Sequence, residues 1–233
     1  MGVSLIARLL RPRPIVGAML GQRLHALAEV EGPPIRRSHR MNRYITVDVA
    51  TTGFDTAKDR VISIGAVAVH HGCIDLSDCF EVVLRQRESS ATANILVHQI
   101  GGQQQLGGID PAEALVSFLE YVRLAPLVAF RADFDQVMIE RELDEVLGLR
   151  TQSRWIDLAK LTPALFPSND CRTMDDWLAR FGIPLIARHD AVADAFATAQ
   201  MLQVVLAAAD RVGVDCPAKL DEMQRAQRWL GRR

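Results

Sequence analysis

From Tyr44 onward apolar and polar positions alternate as they do along a β-strand, so that Thr46, Asp48 and Ala50 share one face. Thr51-Thr52-Gly53 then closes the strand and turns the backbone. The continuous apolar run from Val61 to Val69 predicts a second strand, and Phe80 to Leu84 a third. The gap between them is short and polar, which favours antiparallel hairpins. Pro111 to Val122 has a helical pattern, with Asp110 placed to cap it ahead of a proline at the first position. Pro126 to Phe130 is a short buried strand. A helix follows from about Phe134 to Leu147, with Phe134, Val137 and Met138 on its apolar side. Residues 155–163 and 173–180 read as helices, as do a strongly apolar stretch from Ala191 to Ala208 and a last one from Ala218 to Leu230. Three strands in succession, then alternating helix and strand, predict an α/β fold with a mixed sheet.

Ahead of that pattern, residues 1–30 are expected to be partly helical, with Val16, Leu20, Leu24 and Leu27 on one face and Pro12 and Pro14 breaking any helix that precedes them. Arg8, Arg11 and Arg13 interrupt the apolar run, so it is not the core of a secretory signal, although an Arg-rich, acid-poor start has transit-peptide composition. Position 6 is Ile rather than Ser or Thr, so the myristoylation pattern fails. Glu31-Gly32-Pro33-Pro34 reads as a linker. The expected organisation is a basic arm with helix and linker over 1–42, a compact domain over 43–210 and a C-terminal helix over 211–233.

A length of 233 residues suffices for one domain with a sizeable core, and 49% hydrophobic with 24% charged residues is ordinary for a soluble globular protein. No uninterrupted apolar stretch approaches the roughly 20 residues that a membrane span needs, so no membrane partner is expected. The four cysteines, at 73, 79, 171 and 216, include no CxxC pair. Reduced thiols and a cytoplasmic location are the expectation. The net charge of −1 hides an asymmetry: residues 1–43 carry +6, all from arginine, and the rest of the chain −7. A basic arm on an acidic body suits phosphate contact, and equally a solubilising tail.

Three acidic positions stand out. Asp48 lies late in an apolar strand, where burial is costly unless something positive meets it; a metal ion is one answer, and backbone N–H groups of the turn are another. Asp135 falls in the first turn of a helix just after a strand, where the helix dipole favours an anion. His189-Asp190-Ala191-Val192-Ala193-Asp194 puts a histidine before a helix and an aspartate in its first turns, with alanines that allow close packing on a sheet. An aspartate at a helix start is commonly no more than a cap. The three fragments in this order and context are a sharper signal.

In that order they resemble the 3′–5′ exonucleases of the DEDDh group, whose best-known members are the proofreading subunits of bacterial replicative polymerases. The family's first motif, Asp-x-Glu-Thr-Thr-Gly, is met by Asp48-Val49-Ala50-Thr51-Thr52-Gly53. Val97-His98-Gln99-Ile100 is similar to its His-Gly-Ile segment, Phe134-Asp135 ends its second motif, and His189, Ala191, Asp194 and Ala195 match its third. Ile62 to Val67 and Trp155 to Leu158 are typical of the family as well. The likeness spans roughly residues 43–208 and implies a ribonuclease-H-like mixed β-sheet flanked by helices.

The resemblance also implies a two-ion Mg²⁺ or Mn²⁺ site held by Asp48, Asp135 and Asp194, with His189 as general base. Thr51, Thr52, Gly53 and His98 are implied to contact substrate; Arg131, where the chain departs from the family, suits contact with a substrate phosphate and equally the repulsion of a nearby metal. The implied partners are 3′ ends of single-stranded DNA or RNA, and a polymerase or other protein.

The chain departs from the pattern where it matters most. Ala50 stands in place of the motif glutamate, on the same strand face as Asp48, and Phe130-Arg131 replaces the His-Asn pair common before Phe-Asp. Asp55 and Asp133 are the nearest acidic residues, without the spacing to replace the missing ligand. Two readings follow: an exonuclease releasing 5′-mononucleotides and impaired by Ala50, or an inactive relative that binds nucleic acid ends or a partner protein.

Overall fold

The alternation in the opening strand is set by two different partners on its two sides. The computed structural model describes residues 17–184, 186 and 188–230. Its strands are β1 (Arg43–Thr51), β2 (Val61–His70), β3 (Cys73–Val83), β4 (Leu127–Ala129) and β5 (Trp155–Asp157). They form one sheet in the order β3-β2-β1-β4-β5. The β1–β2 and β2–β3 pairs are antiparallel hairpin neighbours, while β1–β4 and β4–β5 are parallel and joined through helices. The expected mixed sheet is therefore present, and helices flank it on both faces.

Nine α-helices are described: α1 (Ala18–Ala28), α2 (Thr92–His98), α3 (Gly102–Leu106), α4 (Pro111–Val122), α5 (Ala132–Leu147), α6 (Leu158–Leu165), α7 (Met174–Phe181), α8 (Ala191–Arg211) and α9 (Pro217–Leu230). Ile45, Val47 and Val49 of β1 pack with Leu115 and Phe118 of α4 and with Met138 and Ile139 of α5. On the opposite face Tyr44 joins Val67, Val69 and Val128 against Ala195, Met201 and Leu202 of α8. Each large side chain buried this way contributes about 1.5–3 kcal/mol. The polar residue of that second face is accommodated too, because the Thr46 hydroxyl donates to the Ala195 carbonyl at 2.8 Å.

Several elements differ from expectation. β3 begins at Cys73 rather than Phe80, and the turn after β2 is the two residues His71-Gly72, both in the left-handed region. Its first half is largely exposed at the sheet edge, so polar residues are tolerated there and mask the strand. Residues 155–163 are not one helix: Trp155–Asp157 is the buried edge strand β5, and Asp157 caps α6 by accepting from the Ala159 N–H at 2.9 Å. α5 starts at Ala132, and Val137 is exposed rather than on the apolar side. Asp110 does cap α4 as read. The 21-residue α8 passes a length-and-hydropathy test for a membrane span, with a mean hydropathy of 1.5, which the uninterrupted-run criterion missed. Its apolar residues are instead spent largely on the sheet.

Two segments outside the motif region are tied to the body. Leu20 and Leu24 of α1 pack on the first core, and Arg23 reaches Glu113, Ser117 and Glu120 of α4; Val16 of the expected helix face lies outside the described residues. At the other end, α9 completes the β5 edge. The Gln224 carboxamide accepts from the Asp157 N–H at 2.9 Å and donates to the Trp155 carbonyl at 2.8 Å, as a neighbouring strand's peptide group would.

Candidate active site

Asp48, Asp135 and Asp194 come from three different elements, and a glycine lets them meet. In the β1–β2 register Asp48 lies opposite Gly65. A Cβ on Gly65 would stand 2.2 Å from the Ala191 carbonyl carbon and 2.4 Å from the Val192 nitrogen. The first turn of α8 can therefore press onto the sheet only because position 65 has no side chain. That contact carries Asp194 to the Asp48 face of β1.

Asp135 arrives from the other side, one turn into α5, where the chain leaves β4. The backbone N–H dipoles of Asp135 and Val49 favour its ionised form. Among the described residues no ion pair meets it, and burial pushes it up to about 8. Asp48 is held well above the usual carboxylate range by burial, then by the charges of Asp135 and Asp194, with Arg188 working against them. Asp190, which caps α8 through the Ala193 N–H, adds a further negative charge within reach of Asp48. Motif matching passed over Asp190 because capping accounts for it locally.

Asp194 is treated differently from the other two. Its Oδ1 accepts from the Arg188 guanidinium at 2.8 Å and its Oδ2 from the His189 N–H at 2.9 Å. Arg188 also reaches Asp175 in the first turn of α7, at 3.2 Å. No sequence signal marked Arg188.

The histidines sit together at the rim. His189 is exposed, and its ring stands edge-on to that of His98 with centroids 6.3 Å apart. His98 is half-buried, and burial lowers its pKa, favouring the neutral ring. α2, which carries His98, is anchored to the motif turn by the Asn94 amide donating to the Thr51 carbonyl at 2.6 Å, a role that no motif or periodicity marks. Gln99, Arg131 and His189 all have left-handed backbones, at φ 57°, 63° and 63°. Such residues cost energy that the surroundings must supply, and they gather at functional sites.

The other sequence-marked residues have more local roles. Thr51 donates to the Gly53 carbonyl and Thr52 to Asp59, so both hydroxyls serve the turn. Gly53 is where a Cβ would strike the Asp59 carboxylate at 2.5 Å. The Arg131 side chain is exposed while its N–H donates to Asp157 at 3.0 Å. Asp55 turns to Lys58 and the Ala57 N–H, and Asp133 pairs with Lys160. Ala50 is buried, with its methyl group where the motif has a carboxylate.

The donor set is hard oxygen crowded to the point of raised carboxyl pKa values, which is chemistry that fits Mg²⁺ or Mn²⁺. Among the described residues, however, no three acidic, histidine or cysteine side chains converge as a ready-made cage. A separate groove of about 820 Å³ is lined by Thr52, Lys58, Arg60, Arg85 and Arg87 and also by Glu88, Asp110 and Glu142; none of the three aspartates lines it. Phe54, 89% exposed, leans on Phe134 with ring centroids 6.1 Å apart.

Residues 45–202 match the sequence model of the exonuclease family named for RNase T. Among curated proteins, the chain is 29% identical over 167 residues to the PolC-type DNA polymerase III of Clostridium perfringens, covering 70% of this chain and 11% of that protein. It is 26% identical over 198 residues to the PolC-type enzyme of Bacillus subtilis, covering 82% and 14%. It thus spans a small part of these polymerases' length. Exonuclease I of E. coli, solved with a dT13 oligonucleotide, shares the fold at a TM-score of 0.61 and 17% identity, covering 73% of this chain and 42% of that one. Exonuclease X, solved with 5′-overhanging duplex DNA, does so at 0.59 and 16%, covering 78% and 99%. With its motifs in order along a sheet of this topology, the chain belongs to the exonuclease family, on the branch of the DEDD-type 3′–5′ exonucleases.

Proposed function

We propose that this chain is a metal-dependent 3′–5′ exonuclease of single-stranded nucleic acid ends, slowed by the loss of one ligand at Ala50. The observation that carries this reading is that Asp48 is raised by burial and then by the nearby charges of Asp135 and Asp194, an excess of negative charge that a cation would relieve. Asp48, Asp135 and Asp194 would hold Mg²⁺ or Mn²⁺, which when bound supplies charge neutralisation at the phosphate and a more acidic water.

The chain's own groups do the rest. His189, exposed at the rim, takes the proton from the attacking water, and neutral His98 beside it raises no competing positive charge. Phe54 offers a stacking face for a terminal base. Arg131, exposed at the α5 start, offers a phosphate contact. Exonuclease I and exonuclease X bound to DNA support the same class of ligand, and the polymerase relatives support a polymerase as partner. A cytoplasmic location accords with free cysteines among the described residues.

The binding-only reading is favoured by two features, the Ala50 methyl group and the Arg188–Asp194 pair. Digestion of a 3′-labelled single strand with Mn²⁺ separates the two. Ala50→Glu is expected to raise the cleavage rate by roughly 10²-fold, about 3 kcal/mol of transition-state stabilisation, with little change in strand affinity. Adding His189→Ala removes most of the gain. A folded, Mn²⁺-binding Ala50→Glu protein that releases no 5′-mononucleotide leaves the binding-only reading standing.

A further inference from the structure

Both carboxylate oxygens of Asp194 are already met by donors from this chain, and one of those donors carries a full charge. The His189 N–H is part of the backbone and sits on Oδ2. A carboxylate has lone pairs to spare, so that bond is compatible with an ion on the same side chain. The Arg188 guanidinium on Oδ1 is different. An ion bonded to oxygen at about 2.1 Å would face a guanidinium nitrogen hydrogen-bonded to that same oxygen, and like charges that close in a partly buried site repel strongly. Arg188 has somewhere else to go, since it is anchored at the same time to the half-exposed Asp175 on α7.

We propose that Arg188 is a displaceable counter-cation of the aspartate cluster, which competes with divalent ions for Asp194 and must withdraw toward Asp175 for an ion to load. The proposal rests on the reading of the three aspartates as an ion site. With Ala50 supplying no oxygen ligand, the competition is tilted further toward the guanidinium, and the cluster is neutralised by the chain itself. Charge is the currency of the effect, so Lys at this position retains part of it, while an uncharged side chain of similar length abolishes it.

The test is Mn²⁺ binding in the absence of any strand, followed by electron paramagnetic resonance, on the wild type, Ala50→Glu, Arg188→Met, Arg188→Lys and Arg188→Met with Asp48→Asn. Arg188→Met is expected to tighten Mn²⁺ by about tenfold, Arg188→Lys by less, and the added Asp48→Asn to remove the gain. An unchanged or weaker Mn²⁺ affinity in a folded Arg188→Met protein overturns the proposal. Absence of Mn²⁺ binding in every variant, Ala50→Glu included, overturns the ion-site reading beneath it, a different result. Should Arg188→Met not fold, the wild type answers by nuclear magnetic resonance: Mg²⁺ is expected to shift the Arg188 Nε–H signal, and a signal that stays fixed while Mg²⁺ saturates the site overturns the idea.

Discussion

Asp135 and Asp194 are both buried carboxylates near the start of a helix, and they are stabilised in opposite ways. No countercharge pairs with Asp135 among the described residues, and burial, with the charge of Asp157 added, pushes its carboxyl up to about 8. Asp194 has a guanidinium at 2.8 Å. A helix start by itself does not keep an aspartate ionised once it is desolvated; a countercharge is required, and here one side of the cluster has it while the other does not. The two poles share a site only because Gly65 lets α8 sit down.

The largest effect is expected from prising the poles apart. Gly65→Ala places a methyl group inside the van der Waals radius of the Ala191 backbone, so about 3 kcal/mol of stability is lost and Asp194 moves away from Asp48. Urea denaturation checks it; a loss below about 1 kcal/mol would mean that α8 does not seat on the sheet at this point.

Next in size is the unpaired pole. The Asp135 pKa is raised on folding, from the ordinary value to about 8, so between those values the folded protein holds a proton that the unfolded chain releases. Its contribution to stability therefore falls as pH rises across that window. With chelator present, Asp135→Asn is expected to be more stable than wild type by about 1–2 kcal/mol at pH 7.5, and the advantage shrinks toward pH 4. A variant less stable than wild type at pH 7.5 would show that burial does not hold the Asp135 carboxyl above its ordinary range.

The smallest effect concerns the turn that delivers Asp135. Arg131 pays for a left-handed backbone at φ 63°. Arg131→Gly should gain about 0.5–1 kcal/mol in thermal unfolding. If the exposed guanidinium also touches a phosphate, the slope of log affinity against log salt falls by about one in the same variant. An unchanged slope removes Arg131 from the binding surface.

What was legible in the chain follows the same physics. Strand alternation placed Thr46, Asp48 and Ala50 on one face, and Thr46 does bond to α8 there, because period-two geometry is local. The motif aspartates were legible for the same reason, each being tied to a strand end or helix start. β3 escaped notice in its first half because an exposed edge strand needs no apolar run. α2 and α3 were hidden in a stretch rich in Gly and Gln whose short helices are held by tertiary bonds such as Asn94 to Thr51. Arg188 was invisible because its meaning lies in Asp175, thirteen residues earlier on another helix. The Thr51 and Thr52 hydroxyls are bonded within the turn, a role that a motif cannot distinguish from a contact to substrate.

The Gln224 carboxamide on the edge of β5 has a consequence for how the chain is made. Asp157 and Gln224 are 67 residues apart, so at synthesis rates of about 5–20 residues per second the β5 edge stays uncovered for about 3–13 s after it emerges. During that interval the nascent sheet presents free N–H and C=O groups to neighbours on the same message or to chaperones. A ribosome stalled before α9 would release a chain whose motifs are all present and whose sheet is still open to pairing with another copy.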